Sequence, residues 1–415
     1  MSWAYLAVSL VGALAVGFAV RPPRRQPFGV LAFALAWIPS ELPLHTAVVG
    51  VAITAVFAAF GALGSWPGLV GLAVALISWA VLGWLAVVAT RSRLVVDAAL
   101  DDVLDGMRSD PRGEGFVEPR RAWWRLLVAV PYRPSDVAKV RNLDYWGDGA
   151  KRHRLDVLTR RTAPPERAPV FVYIHGGAWK IGDKREQGQP MLFELARRGW
   201  VCVTCNYRLS PQASWPDHLV DCKRAIAWIR AHIDEFGGDP GFIAVSGASA
   251  GGHLCSLLAL TPGEPGWQPG FEEEDTSVDA CLPFYGVYDL TGDPGGMGIS
   301  GPEFLRFVEK QVVQVSASDH PEVFEQASPD RWAGPSAPPT LVFHGRNDSL
   351  VPVEVARRFV GRLRERSRAP VGYVELPRTQ HAFDVLASIR CRHTTEGAVR
   401  FLEAIRHRVA DRGAD

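Results

Sequence analysis

The segment GASAG at residues 247–251 places Ser249 among small residues. An apolar run typical of a strand precedes it, and a segment typical of a helix follows it. A G-x-S-x-G sequence in this context is typical of a nucleophile elbow, a strained turn that exposes a serine hydroxyl. A serine of this kind performs acyl transfer. We therefore predict that Ser249 is a nucleophile.

A serine needs a base, and the base needs a carboxylate that orients it. The downstream sequence offers both, because Asp348 follows one apolar strand in "FHGRNDSLVP" and His381 follows the last predicted strand in "PRTQHAFDV". Taken singly, Ser249 could be a helix N-cap, Asp348 a turn residue and His381 a surface histidine. Their joint position at strand ends, in this chain order, favours a catalytic triad.

Acyl transfer also needs hydrogen-bond donors for the oxyanion, which are usually backbone N–H groups. The segment "YIHGGAWKIGDK" follows a predicted strand, and its Gly176 and Gly177 let the backbone approach a substrate. The N–H of Ala250, directly after the nucleophile, is the other expected donor. Trp179 either shapes the substrate pocket or packs under this loop.

Other reactive side chains are predicted to be structural. His175 and His344 adjoin the motifs and are expected to stabilise the conformation of their loops. His253, one turn into the helix after the elbow, is expected to be a packing residue. Cys202 and Cys205 form a C-x-x-C sequence, but in a strand positions three apart point to opposite faces. We interpret both as core residues rather than as metal or redox groups.

Alternating strand and helix patterns run from residue 136 to residue 412. This alternation predicts a doubly wound, mostly parallel sheet with catalytic groups at the carboxyl ends of its strands. The Gly- and Pro-rich segment 290–304 is interpreted as a mobile loop. The 45 basic and 44 acidic residues balance, so a basic surface that binds nucleic acid is not expected.

The first 93 residues form a predicted all-helical membrane region. Three uncharged segments, 3–20, 44–63 and 67–90, approach the roughly 20 residues that a bilayer requires. The shorter apolar segment 28–38 is interpreted as interfacial or re-entrant. Residues 94–135 are expected to be a linker, a cap or interfacial helices, and "RRAWWRLL" at 120–127 either lies at the membrane interface or packs on the catalytic domain.

Basic clusters at residues 21–25 and 91–93 set the predicted orientation. Both clusters should face the cytoplasm, and three spans satisfy this condition whereas four do not. The chain is thus expected to be a multi-pass protein of the plasma membrane with a cytoplasmic catalytic domain. A cleavable signal peptide is the competing interpretation of the first span, but no basic segment precedes it.

The motifs "HGGAW", "GASAGG", "HGRNDSLVP" and "QHAF" together resemble those of α/β-hydrolase esterases and lipases of the hormone-sensitive-lipase-like and type-B-carboxylesterase-like groups. The resemblance covers about residues 138–409, and the membrane layout is similar to that of actinobacterial membrane-associated Lip esterases. It implies the α/β-hydrolase fold, a Ser249, Asp348 and His381 triad, and no metal or other cofactor.

Two departures from that pattern bear on the substrate. Ala178 stands where these relatives usually have a third glycine, and Ala248 where they have an acidic residue; both substitutions are similar to those of arylformamidases and prenylcysteine methylesterases. The expected function is a membrane-anchored serine carboxylesterase that cleaves lipophilic esters. The alternatives are an amidase, a formamidase or a lipid methylesterase with the same triad, and a non-catalytic binding protein with this fold. The oligomeric state is not predicted.

Overall fold

The computed structural model describes residues 1–23, 28–104, 129, 134–162, 167–292 and 301–414. Within these ranges eight strands form one sheet: β1 (Val137–Asp144), β2 (Arg154–Arg160), β3 (Ala168–Ile174), β4 (Val201–Cys205), β5 (Gly238–Ala248), β6 (Ala280–Phe284), β7 (Thr340–Gly345) and β8 (Val371–Leu376). Their order is β1-β2-β4-β3-β5-β6-β7-β8. The pairs β1–β2 and β2–β4 are antiparallel and all the others are parallel. The predicted doubly wound sheet is confirmed.

Helices follow the strands and cover both faces of the sheet. They are α5 (Gln189–Arg197), α6 (Asp217–His232), α7 (Ala250–Leu260), α8 (Gly301–Phe307), α9 (Pro321–Gln326), α10 (Val353–Arg366) and α11 (Ile389–Ala414). One core cluster joins the sheet to α6, α7 and α10, and a second joins it to α5 and α11. The catalytic residues expected at the strand ends therefore rest on a sheet that is packed from both sides.

The central strands are buried at every position because helices lie above and below them. Strands β3 and β4, with the sequences APVFVYI and VCVTC, have no exposed residue. Strands of this kind are nearly continuous apolar runs. Cys202 and Cys205 of β4 lie in the two different core clusters, and all six cysteines are buried free thiols. The core interpretation of the C-x-x-C sequence is confirmed.

In the described residues before the sheet the structure has four α-helices: α1 (Ser2–Val20), α2 (Phe28–Glu41), α3 (Pro43–Ala59) and α4 (Trp66–Val103). By length and composition α1 and α4 are apolar enough to cross a membrane. Helices α2 and α3 meet at a bend of 96° and pass the same test only if they count as one broken span. The predicted re-entrant segment lies in α2. The three-span arrangement and its orientation stay predictions.

Helix α4 begins in the predicted membrane region and its last turns reach the domain that contains the sheet. Its 38 residues continue past the predicted boundary at residue 93, so that boundary falls inside a helix. The last turns of α4 pack on α11, where a Cβ added to Gly397 would lie 2.3 Å from Val96 Cγ1. Asp97 of α4 pairs with Arg400 of α11. The two predicted domains are therefore joined by packed side chains.

Candidate active site

The turn at Ser249 has the strained geometry expected of the predicted nucleophile elbow. β5 ends at Ala248 and α7 begins at Ala250, and Ser249 between them has φ 56° and ψ −117°. A positive φ is costly for a residue with a side chain and persists only where the surroundings enforce it. Here a Cβ added to Gly251 would lie 2.1 Å from the Ile174 carbonyl oxygen. Only a glycine therefore lets this turn lie so close to β3.

Asp348 and His381 are joined by a short buried hydrogen bond. Asp348 follows β7, His381 follows β8, and His381 Nδ1 lies 2.6 Å from Asp348 Oδ2. The other carboxylate oxygen of Asp348 accepts the N–H groups of Leu350 and Val351 at 2.9 and 2.8 Å. Because both side chains are almost fully buried, this charge-assisted pair is shielded from water. It can hold the imidazole in one tautomer and one orientation.

Ser249 reaches the same edge of the sheet through β6. Its N–H donates to the Phe284 carbonyl at 2.9 Å, and the ring of the next residue, Tyr285, packs on the His381 ring at 4.4 Å. No hydrogen bond joins the Ser249 hydroxyl to His381 in the part of the chain that the structure describes. Catalytic hydrogen bonds are commonly long before a substrate binds. The structure thus brings the three predicted residues to one edge with one of their two hydrogen bonds formed.

The three predicted oxyanion residues have different surroundings. Gly176 N–H donates to Gln187 Oε1 at 2.7 Å, so this donor is already occupied. A Cβ on Gly176 would lie 2.4 Å from the Ala248 carbonyl oxygen, so the loop passes directly beside the elbow. Among the described residues, none accepts a hydrogen bond from the N–H of Gly177 or from that of Ala250, the first residue of α7.

The other three histidines for which a structural role was predicted, His175, His253 and His344, have structural contacts. His175 stacks on Tyr207 with ring centroids 4.4 Å apart, and burial lowers its pKa to about 4. His253 Nδ1 accepts a hydrogen bond from the Trp179 indole N–H, and its Nε2–H donates to the Ala327 carbonyl oxygen. Burial lowers the pKa of His253 to about 3. Both imidazoles are therefore neutral near pH 7.

His344 is a second imidazole beside the carboxylate of Asp348. Its Nε2 lies 3.0 Å from the Val351 carbonyl oxygen and 3.5 Å from Asp348 Oδ2. Burial lowers the pKa of His344. Because Val351 also donates its N–H to Asp348, this contact fixes the loop that presents the carboxylate.

Trp179 packs under the oxyanion loop. It is almost fully buried and meets the His253 ring edge-on at 5.1 Å. Of the two roles considered for Trp179, substrate binding and packing under the loop, this contact supports packing. A role in substrate binding stays a prediction.

No role is predicted from the sequence for two further residues of the site. Gln380 Oε1 accepts hydrogen bonds from the N–H groups of Ser349 and His381 and so links the Asp348 loop to the His381 loop. Asp384 is fully buried and accepts the hydroxyl of Tyr285, the residue that packs on His381. Burial raises the pKa of Asp384, and the Tyr285 hydroxyl opposes that shift. Gln380 belongs to the QHAF motif, but the motif does not show that Ser349 is its partner, and the contact of Asp384 with Tyr285 joins parts of the chain that lie far apart in the sequence.

Some predictions fall outside the described residues. The segment 120–127 lies there, as do residues 293–300 of the predicted mobile loop. Among the residues that are described, no group of three or more His, Cys, Asp or Glu side chains is arranged to hold a metal ion.

Comparison with known proteins fits this geometry. The model of the BD-FAE family matches residues 155–363, half of the chain. The chain belongs to the BD-FAE esterase family. This esterase is also 40% identical to a probable carboxylic ester hydrolase of Mycobacterium tuberculosis, LipM, over 96% of this chain and 93% of the relative. It is 47% identical to the esterase LipC of the same organism over 60% of this chain and 62% of the relative.

Solved structures share the fold of this esterase. A Lactobacillus rhamnosus enzyme, esterase B, superposes with a TM-score of 0.57 at 18% identity, over 69% of this chain and 91% of that one. Since a relative named as a probable carboxylic ester hydrolase matches nearly its full length and the family model agrees, the chain is a carboxylic ester hydrolase with the α/β-hydrolase fold. The predicted family, fold and enzyme class are confirmed.

Proposed function

We propose that this esterase is a membrane-anchored serine hydrolase that cleaves lipophilic carboxylic esters through an acyl-enzyme. Ser249 Oγ attacks the ester carbonyl carbon while His381 Nε2 takes the serine proton. His381 then gives that proton to the alcohol oxygen as the carbon–oxygen bond breaks. Water attacks the acyl-enzyme by the same route and releases the acid. Asp348 stabilises the imidazolium that forms in each half-reaction.

The hydrogen bond of 2.6 Å between Asp348 and His381, beside the strained Ser249 turn, is the observation that carries this mechanism. With His381 Nδ1 committed to the carboxylate, Nε2 is the ring nitrogen that is free for the serine proton. We assign the oxyanion to the N–H groups of Gly177 and Ala250, because Gln187 occupies the N–H of Gly176. Gly176 lets the loop pass close to the elbow.

The proposed membrane anchor comes from the N-terminal helices. α1 and α4 are long and apolar enough to cross a bilayer, and many of their large apolar side chains are exposed. Exposed apolar surface of this extent is stable in lipid and costly in water. An anchored enzyme meets substrates that dissolve in the membrane at a raised local concentration, which favours lipophilic esters. We place the catalytic domain on the cytoplasmic side, as the basic clusters predict.

A methylesterase of a lipidated small molecule is the second candidate. A relative from Arabidopsis thaliana that is 30% identical over 57% of this chain and 55% of its own length is named isoprenylcysteine alpha-carbonyl methylesterase. Such a substrate is also a lipophilic ester, so the same triad serves it.

Substrate profiling with the detergent-solubilised full chain tests the proposal. Nitrophenyl esters from acetate to laurate are compared with an aryl formamide and with a prenylcysteine methyl ester. We expect hydrolysis of the nitrophenyl series with a preference for medium or long acyl chains. Turnover of the formamide without turnover of any ester would contradict the proposal. A preference for the methyl ester above every nitrophenyl ester would favour the second candidate.

A further inference from the structure

Helix α2 belongs to the predicted membrane region, yet it is hydrogen-bonded to the loop that carries the catalytic histidine. The Trp37 indole N–H donates to the carbonyl of Ala382, the residue directly after His381, at 3.0 Å. The Ser40 hydroxyl lies within hydrogen-bond distance of two acceptors, the carbonyl of Arg378, three residues before His381, at 3.2 Å and the Glu41 carboxylate at 3.1 Å. One helix of the membrane region thus holds the histidine loop on both sides of the imidazole.

The Asp348 loop is tied to the same region. The hydroxyl of Ser349 donates to the carbonyl of Gly29 in α2 at 2.9 Å. On the other side of the carboxylate, the Asn347 amide donates to the carbonyl of Val20 at the end of α1, also at 2.9 Å. Both neighbours of Asp348 therefore bond to backbone groups of the N-terminal helices.

A buried ion pair fixes the end of α2. The Glu41 carboxylate lies 3.3 Å from the Arg390 guanidinium, and both side chains are fully buried. Ser388 also donates to this carboxylate, and Arg390 donates to the carbonyl of Ser40. Breaking a buried pair leaves an uncompensated charge, so the pair resists separation of α2 from the start of α11. The helix is held in place where Trp37 meets the histidine loop.

The backbone that Trp37 contacts is strained. Ala382 has φ 58°, a left-handed conformation that is unfavourable for alanine. Trp37 bonds to the carbonyl of this residue, and Phe33, stacked on Trp37 at 5.7 Å, meets the His381 ring edge-on at 6.1 Å. Tyr285 packs on the imidazole at 4.4 Å. A strained turn keeps its conformation only where its surroundings enforce it, and here part of the enforcing group is α2.

We propose that Trp37 is a positioning residue for catalysis, which holds His381 against Asp348 by fixing the carbonyl of Ala382. The inference rests on the proposed function, since it assigns a role to α2 in the reaction of the same triad. The membrane region then acts as a structural part of the active site in addition to its role as an anchor. The effect of losing Trp37 should fall on the chemical step, whatever the length of the acyl chain.

The test uses the full chain in detergent and the variant Trp37→Phe, which keeps an aromatic ring and removes the N–H. The matched control is Ile38→Ala, because Ile38 is the next residue of α2 and is 41% exposed. Measured quantities are kcat and KM for nitrophenyl acetate and octanoate, and the rate at which a fluorophosphonate labels Ser249. For Trp37→Phe we expect kcat and the labelling rate to fall about tenfold on both esters, with KM within about twofold. The control should stay within about twofold of wild type.

Three results would overturn the inference. The first is an unchanged kcat per labelled site in Trp37→Phe. The second is a fall in kcat confined to octanoate, which would mean that α2 only lines the acyl pocket. The third is a lower thermal midpoint of Trp37→Phe with normal kinetics. If Trp37→Phe fails to fold, Ser40→Ala removes the second tie to the histidine loop and is expected to lower kcat about threefold on both esters, with KM unchanged. An unchanged kcat in Ser40→Ala would also count against the inference. Failure of the proposed function is distinguishable, because wild-type protein would then not be labelled at Ser249.

Discussion

Replacing Asp348 by asparagine should disable the base while leaving the loop intact. One carboxylate oxygen accepts the N–H groups of Leu350 and Val351, and the other accepts from His381 Nδ1 at 2.6 Å. An amide nitrogen cannot accept a hydrogen bond, so the asparagine oxygen must stay with the two backbone donors. Its NH2 group then faces His381 Nδ1 and requires that nitrogen to be unprotonated. The ring proton moves to Nε2, which can no longer take the serine proton.

The expected loss for Asp348→Asn is about 10⁴-fold in kcat, or about 5.4 kcal/mol of transition-state stabilisation. Because both backbone hydrogen bonds remain, the thermal midpoint should stay within a few degrees of wild type. The assay is hydrolysis of nitrophenyl butyrate at pH 7.5, with Asp289→Asn as control, since this buried carboxylate bonds to Arg358 and not to the triad. A kcat within tenfold of wild type would refute the tautomer argument.

Two further predictions concern the elbow and the sheet edge. Gly251→Ala should lower the free energy of unfolding by about 3 kcal/mol, because the new Cβ would lie 2.1 Å from the Ile174 carbonyl oxygen. The control Gly361→Ala should be tolerated, since no atom lies within 4 Å of the added Cβ. Equal thermal midpoints for the two variants would contradict this prediction. Burial raises the pKa of Glu375, but hydrogen bonds from Arg357 and its neighbours outweigh burial and lower that pKa to about 2. The ionised form thus stabilises the fold above pH 4.5, by about 1 kcal/mol after allowance for solvent screening, and this stability is lost as the pH falls toward 2. Glu375→Gln should lower the thermal midpoint at pH 7 and match wild type near pH 2, and a difference that persists at low pH would show that the charge is not its cause.

The placement of the three proposed triad residues could be predicted from the sequence because each residue follows an apolar strand within a short motif. In a parallel sheet such strand ends share one edge, so Ser249, Asp348 and His381 could be grouped without coordinates. The occupied N–H of Gly176 could not be predicted in this way. It depends on where Gln187 lies, eleven residues further along a loop with no regular pattern.

The contacts of α2 were beyond sequence reasoning for a different reason. Trp37 and Ala382 are 345 positions apart, and an apolar helix gives the same pattern whether its neighbours are lipid or protein. The uncharged N-terminal segments therefore predict a membrane anchor but not the contacts of α2 with the His381 loop. The continuation of α4 past residue 93 was missed because charged residues ended the apolar run while the helix itself went on.

Labelling with a fluorophosphonate tests the central claim most directly. The full chain is treated with the reagent in detergent, and intact mass and peptide mapping locate the adduct. The mechanism predicts one adduct on Ser249 that is absent from Ser249→Ala. An unlabelled wild-type protein, or an adduct that persists in Ser249→Ala, would contradict the mechanism.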